Sequence, residues 1–113
     1  MSYTGQPAVG TITQITNINT AVTLNAQEGV ITTVSTSLTL AGGPENFTLN
    51  NTYIAGVNTK ILCSLDYGGV LATAGMPFAT IKATGAGAAT VSLCNPTAVA
   101  TNAVINITFK ILQ

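Results

Sequence analysis

Apolar and polar positions alternate along much of this chain with a period of two, the pattern of strands that bury one face. The longest run is Asn102–Leu112. Ala103, Ile105, Ile107, Phe109 and Ile111 fall on one face, and Asn106, Thr108 and Lys110 on the other. Lys60–Tyr67 sets Ile61, Cys63, Leu65 and Tyr67 against Lys60, Ser64 and Asp66. Thr20–Leu24, Val30–Leu40, Glu45–Asn50, Phe78–Ala83 and Ala88–Cys94 read as further strands, with Phe47, Leu49, Val91 and Leu93 pointing inward. Thr11–Ile18 is extended as well, but Ile12, Ile15 and Ile18 do not alternate, which predicts a bulge or a bend. Asn25–Gly29 reads as a turn. Asn51–Asn58 is expected to be a loop or a single helical turn that plugs one end of the core through Tyr53, Ile54 and Val57.

About seven to eight short strands with turn signals between them predict an all-β, single-domain antiparallel β-sandwich or jelly-roll-like barrel. Thr, Val and Ile supply the strands, because β-branching suits a pleated surface. No helical period separates them, so an α/β arrangement is not expected. Residues 1–10, broken by Gly5, Pro7 and Gly10, read as an N-terminal arm, and residues 11–113 as the β-sandwich domain. A chain of 113 residues has room for one core.

Charge changes the picture most. Only 5% of the residues are charged, against about 25% in an average domain. They are Glu28, Glu45, Asp66, Lys60, Lys82 and Lys110, with a net charge of zero and no His. No basic stripe is available to a nucleic acid. Ser and Thr abound, but no His is present to activate one. Glu28 and Glu45 sit beside turns as solvated caps, and Asp66 is expected to pair with Lys60 or Lys82. The sequence therefore predicts neither an enzyme nor a cofactor. Cys63 and Cys94 are expected to be free thiols, and two cysteines without His do not compose a zinc site. Gly85-Ala86-Gly87 lacks the Lys and the following helix of a phosphate loop. No apolar run approaches the length of a membrane span, and residues 1–7 do not read as a secretory signal.

A surface built from Thr and Asn hydrates well but repels neighbours weakly, which predicts packing against copies of itself or a larger assembly. Leu62, Val104 and Leu112 interrupt the polar faces of their strands. Either a second subunit covers them or they are ordinary exposed side chains. The interface candidates are Tyr3 and Pro7 in the arm, which could add a strand to a neighbour's sheet, and Pro44, Met76 and Pro77 in the Gly42-Gly43-Pro44 and Gly75-Met76-Pro77 turns. Tyr53 and Tyr67 are expected to cap the core with their hydroxyls at the rim.

The segments Gly10-Thr11-Ile12-Thr13-Gln14-Ile15-Thr16, Ala21-Val22-Thr23-Leu24-Asn25 and Gly29-Val30-Ile31-Thr32-Thr33-Val34-Ser35, followed by Phe47-Thr48-Leu49-Asn50-Asn51 and an apolar strand at Ala103–Leu112, resemble a family of small β-rich bacteriophage virion proteins. The likeness spans nearly the whole chain. It implies a structural protein of the particle with no catalytic residues. The first expectation is a capsid decoration (cement) protein on the virion capsid surface, assembled in the host cytoplasm. Such a protein is a homotrimer that joins neighbouring major capsid proteins and holds the shell against internal pressure. The alternative is a tail-fibre or appendage module that binds a host surface glycan.

Overall fold

The computed structural model describes residues 9–35, 37–67, 76–97 and 99–112. Eight strands alternate buried and exposed side chains. They are β1 (Val9–Thr13), β2 (Val22–Thr23), β3 (Glu28–Thr32), β4 (Glu45–Asn50), β5 (Lys60–Tyr67), β6 (Phe78–Gly85), β7 (Ala88–Cys94) and β8 (Ile105–Leu112). They form two four-stranded sheets, ordered β1-β3-β8-β5 and β2-β4-β7-β6. Of the two expected architectures this is the sandwich. The chain changes sheet at every connection except β6 to β7. As a result β1–β3 and β2–β4 pair in parallel, while the other pairs are antiparallel. The fold is thus the expected antiparallel sandwich with two parallel pairs within it.

One core fills the space between the sheets. Ile31, Ile105, Ile107, Phe109 and Ile111 face Phe47, Leu49, Val91 and Leu93, all essentially free of solvent. Each such side chain contributes roughly 1.5–3 kcal/mol on burial. Loop residues close the two ends. Ile18 and Leu38 enter from one, and Ile54 plugs the other from a loop of turns rather than a helix.

The expected bounds of β4, β5 and β7 are those observed. Elsewhere side chains shorten or shift the strands. β1 begins at Val9, so its first two residues come from the stretch read as an arm. It ends at Thr13 because Gln14 turns inward. There the Gln14 amide donates to the Ile18 and Thr20 carbonyls, each at 2.9 Å. β3 starts at Glu28, inside the stretch read as a turn. Gly29 is a close-approach residue there. A Cβ on it would lie 2.8 Å from the Gly10 carbonyl oxygen and 2.8 Å from Leu24 Cδ2. Gly10 and Gly29 are register partners, and the Leu24 side chain lies against both.

β3 stops at Thr32, not at Leu40. Thr33 exchanges hydrogen bonds with Ile105 through its own N–H and hydroxyl, and the chain then leaves the sheet. β8 starts at Ile105 rather than Asn102 because the Tyr67 hydroxyl occupies Asn102. It accepts the Asn102 N–H at 2.8 Å and donates to Oδ1 at 3.1 Å. Tyr67 thus caps the core as expected. Between β6 and β7 the two-residue turn uses Gly87 at a φ of 80°, which a Cβ would disfavour.

Glu28 is no turn cap. It pairs with Lys110 across β3–β8 at 3.4 Å, the one ion pair among the described residues. Asp66 sits in register with Asn106, away from Lys60 on the same strand, and forms no ion pair with Lys60 or Lys82.

Candidate functional site

The long connections gather at one end of the sandwich. Residues 14–21 and the described parts of 33–44 and 95–104 lie there, as do the end of β5 at Tyr67 and the start of β6 at Phe78. Loops carried by a rigid sandwich are a common place for recognition. This end is organised by Asn95, which is buried. Its Nδ2 donates to the Leu38 carbonyl at 2.9 Å and to the Val99 carbonyl at 2.7 Å. Its Oδ1 accepts the Thr97 N–H and hydroxyl and the Met76 N–H. Three connections are thereby joined by one amide.

Around this hub the surface is apolar. Met76 is 56% exposed, Phe78 52% and Val99 46%. Phe78 is also the cross-strand partner of Cys94, the residue before Asn95. Of the residues singled out in the sequence, Met76 lies in this patch. Pro77 is buried beneath it, and Pro44 is exposed beside Gly43 in the 33–44 connection. Tyr3 and Pro7 lie outside the described residues. Phe78 and Val99 were missed. The available signal was the alternation that puts Phe78 opposite to Ile81. Val99 gave none, because an outward Val in a loop has no period to betray it.

The two outer faces differ in charge. The β1-β3-β8-β5 face carries Glu28, Lys60, Asp66 and Lys110, together with Leu62 and Leu112, both substantially exposed. The opposite face presents Asn46, Thr48 and Asn50 from β4, Ala88, Thr90, Ser92 and Cys94 from β7, and Phe78 and Thr80 from β6. It holds no charged side chain along β4 and β7. The two remaining charges are peripheral. Glu45 starts β4, in register with the inward Leu93, within 3.4 Å of the Asn19 amide. Lys82 sits at the bulge of edge strand β6.

Among the described residues, neither end gathers reactive groups. An open depression of about 800 Å³ between residues 52–59 and Leu112 is lined by Tyr53, Val57 and Thr59 without an acid or a base. Among the described residues no three His, Cys, Asp or Glu come together, and no helix is long and apolar enough to cross a membrane. Cys63 and Cys94 are free thiols on opposite faces of their sheets. Cys63 faces inward, and its Sγ donates to the Ala79 carbonyl of β6 at 3.5 Å. This contact bridges the neighbouring edges of the two sheets. Burial pushes the Cys63 thiol above the ordinary cysteine value.

Comparison with protein-family models, with curated proteins and with solved structures returns no match.

Proposed function

We propose that this protein is a structural component of a bacteriophage particle, a decoration protein that self-associates as a homotrimer and bridges major capsid proteins at the capsid surface. The observation that supports the reading is the outer side of β4 and β7, which carries no charged side chain and continues at its loop end into Met76, Phe78 and Val99. Covering such a face against another protein desolvates no ion, the largest penalty in burying polar surface. Exposed Met and Phe side chains supply apolar anchors. A modest patch repeated in an oligomer gains strength by avidity. The likeness of the opening segments to phage virion proteins supplies the context of the particle.

A second reading, an appendage module that binds a host surface glycan, is favoured by the clustering of connections at one end. Copy number separates the two. Quantitative mass spectrometry of intact particles is expected to find this chain in numbers comparable to the major capsid protein. A handful of copies per particle would overturn the decoration role and favour the appendage. Within the decoration reading, Phe78→Asp and Met76→Asp are expected to abolish rebinding to shells stripped of the protein. Unchanged rebinding would remove the loop-end patch from the interface.

A further inference from the structure

Thr16 holds the most improbable backbone conformation among the described residues. Its φ is 73°, the only positive value at a non-glycine residue there. The Asn17 N–H donates to the Ile15 carbonyl at 2.9 Å, two residues back. Together these define a γ-turn of the positive-φ kind, which is rare and strained. A β-branched side chain makes the conformation worse. Strain of this sort persists only where the surroundings impose it, and it marks places where a chain can adopt a second arrangement.

The turn stands just after β1. β1 is an edge strand. Among the described strands it pairs with β3 only, and that pairing is parallel, the slightly weaker kind. Ile15, Thr16 and Asn17 are all exposed, so the hinge itself holds no core residue. On either side of it the structure is well anchored. Gln14 reaches across the turn to the Ile18 and Thr20 carbonyls and accepts the Val34 N–H. Those three partners stay with the body of the sandwich if β1 leaves it.

The β3 edge is shaped for one visitor. Gly10 faces Gly29, and Leu24 fills the space that their missing side chains leave. A Cβ on Gly10 would lie 2.8 Å from Leu24 Cδ1. A strand with an ordinary residue at that register must push the end of the Leu24 side chain aside, whereas β1 of another copy fits with every contact reproduced. A shared segment that rebuilds its own contacts in a neighbour is the arrangement of domain swapping, and a short strained hinge promotes it.

We propose that β1 is exchanged between copies of this chain: residues 9–14 of one copy occupy the β3 edge of the next, Gln14 included, and the Thr16 turn opens into an extended linker. The inference stands on β1 and its hinge, and holds whether or not the chain belongs to a phage particle.

Two measurements test it on the full chain. Light scattering across a concentration series is expected to show an oligomer. Thr16→Gly, which tolerates positive φ without strain, is expected to shift the population several-fold toward monomer. A monomeric parent chain overturns the proposal, and so does an oligomer indifferent to Thr16→Gly. The second measurement places Thr11→Cys and Val30→Cys, register partners on the outer face, in a Cys63→Ala, Cys94→Ser background. Neighbouring strands are close enough for a disulfide. Exchange predicts covalent oligomers on a denaturing, non-reducing gel. Monomer bands only, cross-linked internally or not, overturn it. Val9→Cys with Glu28→Cys repeats the test one pair along should the first pair disturb folding.

Discussion

Asn95 donates its side-chain amide to the Leu38 carbonyl at 2.9 Å, and Thr101 accepts the Leu38 N–H on its hydroxyl at 2.8 Å. One connection is thus held at both backbone groups of a single residue by another that lies far away in sequence. Gln14, Asn51 and Thr33 act in the same way elsewhere, each buried and each bonded to main chain. The loops of this protein are built on buried amides and hydroxyls, where other domains use charge or disulfides.

Asn95→Ala leaves the Leu38 and Val99 carbonyls without the amide donor and the Thr97 and Met76 N–H groups without their acceptor. Buried unsatisfied groups cost about 1–3 kcal/mol each, and relaxation with water recovers part of this. The expected loss is about 2–4 kcal/mol, read from the urea midpoint at an unchanged slope.

Gly29→Ala places a methyl against the Gly10 carbonyl oxygen and Leu24, with Phe109 Cε2 at 3.0 Å. Backbone oxygen does not yield as a side chain does. Destabilisation of about 1–3 kcal/mol is expected. Gly56→Ala, whose Cβ meets open space, is expected to lie within about 0.5 kcal/mol of the parent. Thermal unfolding of both variants in parallel checks the contrast.

Lys110→Ala breaks the ion pair with Glu28, whose partners are 54% and 32% exposed. Solvent screens such a pair, so the change is expected to stay below about 1 kcal/mol and to shrink further in high salt. Denaturation at low and high ionic strength provides the measurement.

Burial raises the Cys63 thiol above its ordinary value in the folded chain. The unfolded chain therefore loses this proton first, once the pH passes about 8.5. From there upward the folded state binds more protons than the unfolded one, and stability falls with pH until the folded thiol also ionises. Below that window Cys63 adds no pH dependence. The stability difference between the Cys94→Ser chain and its Cys63→Ala derivative is expected to narrow as pH rises from about 7 to about 10. In the same Cys94→Ser chain, alkylation of Cys63 is expected to be slow at neutral pH, because the thiolate is the reactive form.

The strands were legible in the sequence wherever one face alone touches the core. Phe47 and Leu49, Ile61 to Tyr67 with Leu62 as the one interruption, and Val91 and Leu93 follow the alternation, and β4, β5 and β7 fall where that pattern puts them. Reading failed where a long-range partner decides. Gly29 looks like a turn residue until Gly10 and Leu24 are placed against it. Val30–Leu40 looks like one strand until Thr33 and Leu38 are claimed by Ile105, Asn95 and Thr101. Parallel pairing was equally hidden, because strand direction follows from which sheet each connection reaches and leaves no mark on periodicity. The loop-end patch was half visible. Met76 was flagged by its Gly and Pro neighbours, while Val99 joins it through Asn95 and Phe78 through the pairing of β6 with β7.

The order of strands in the sheet also sets a timetable for biosynthesis. β8 leaves the ribosome after the other seven described strands, yet it lies between β3 and β5 and is the antiparallel partner of both. Until it emerges, β5 has no hydrogen-bonded neighbour in its sheet. The β6–β7 hairpin, the one sequence-local pair, is free to form early and to collect β4. The nascent chain thus carries one half-sandwich with its apolar inner face open, and sheet closure is a late, non-local and therefore slow event. In that interval a low-charge chain has little repulsion to keep it from its neighbours, so the delay before β8 emerges bears directly on yield.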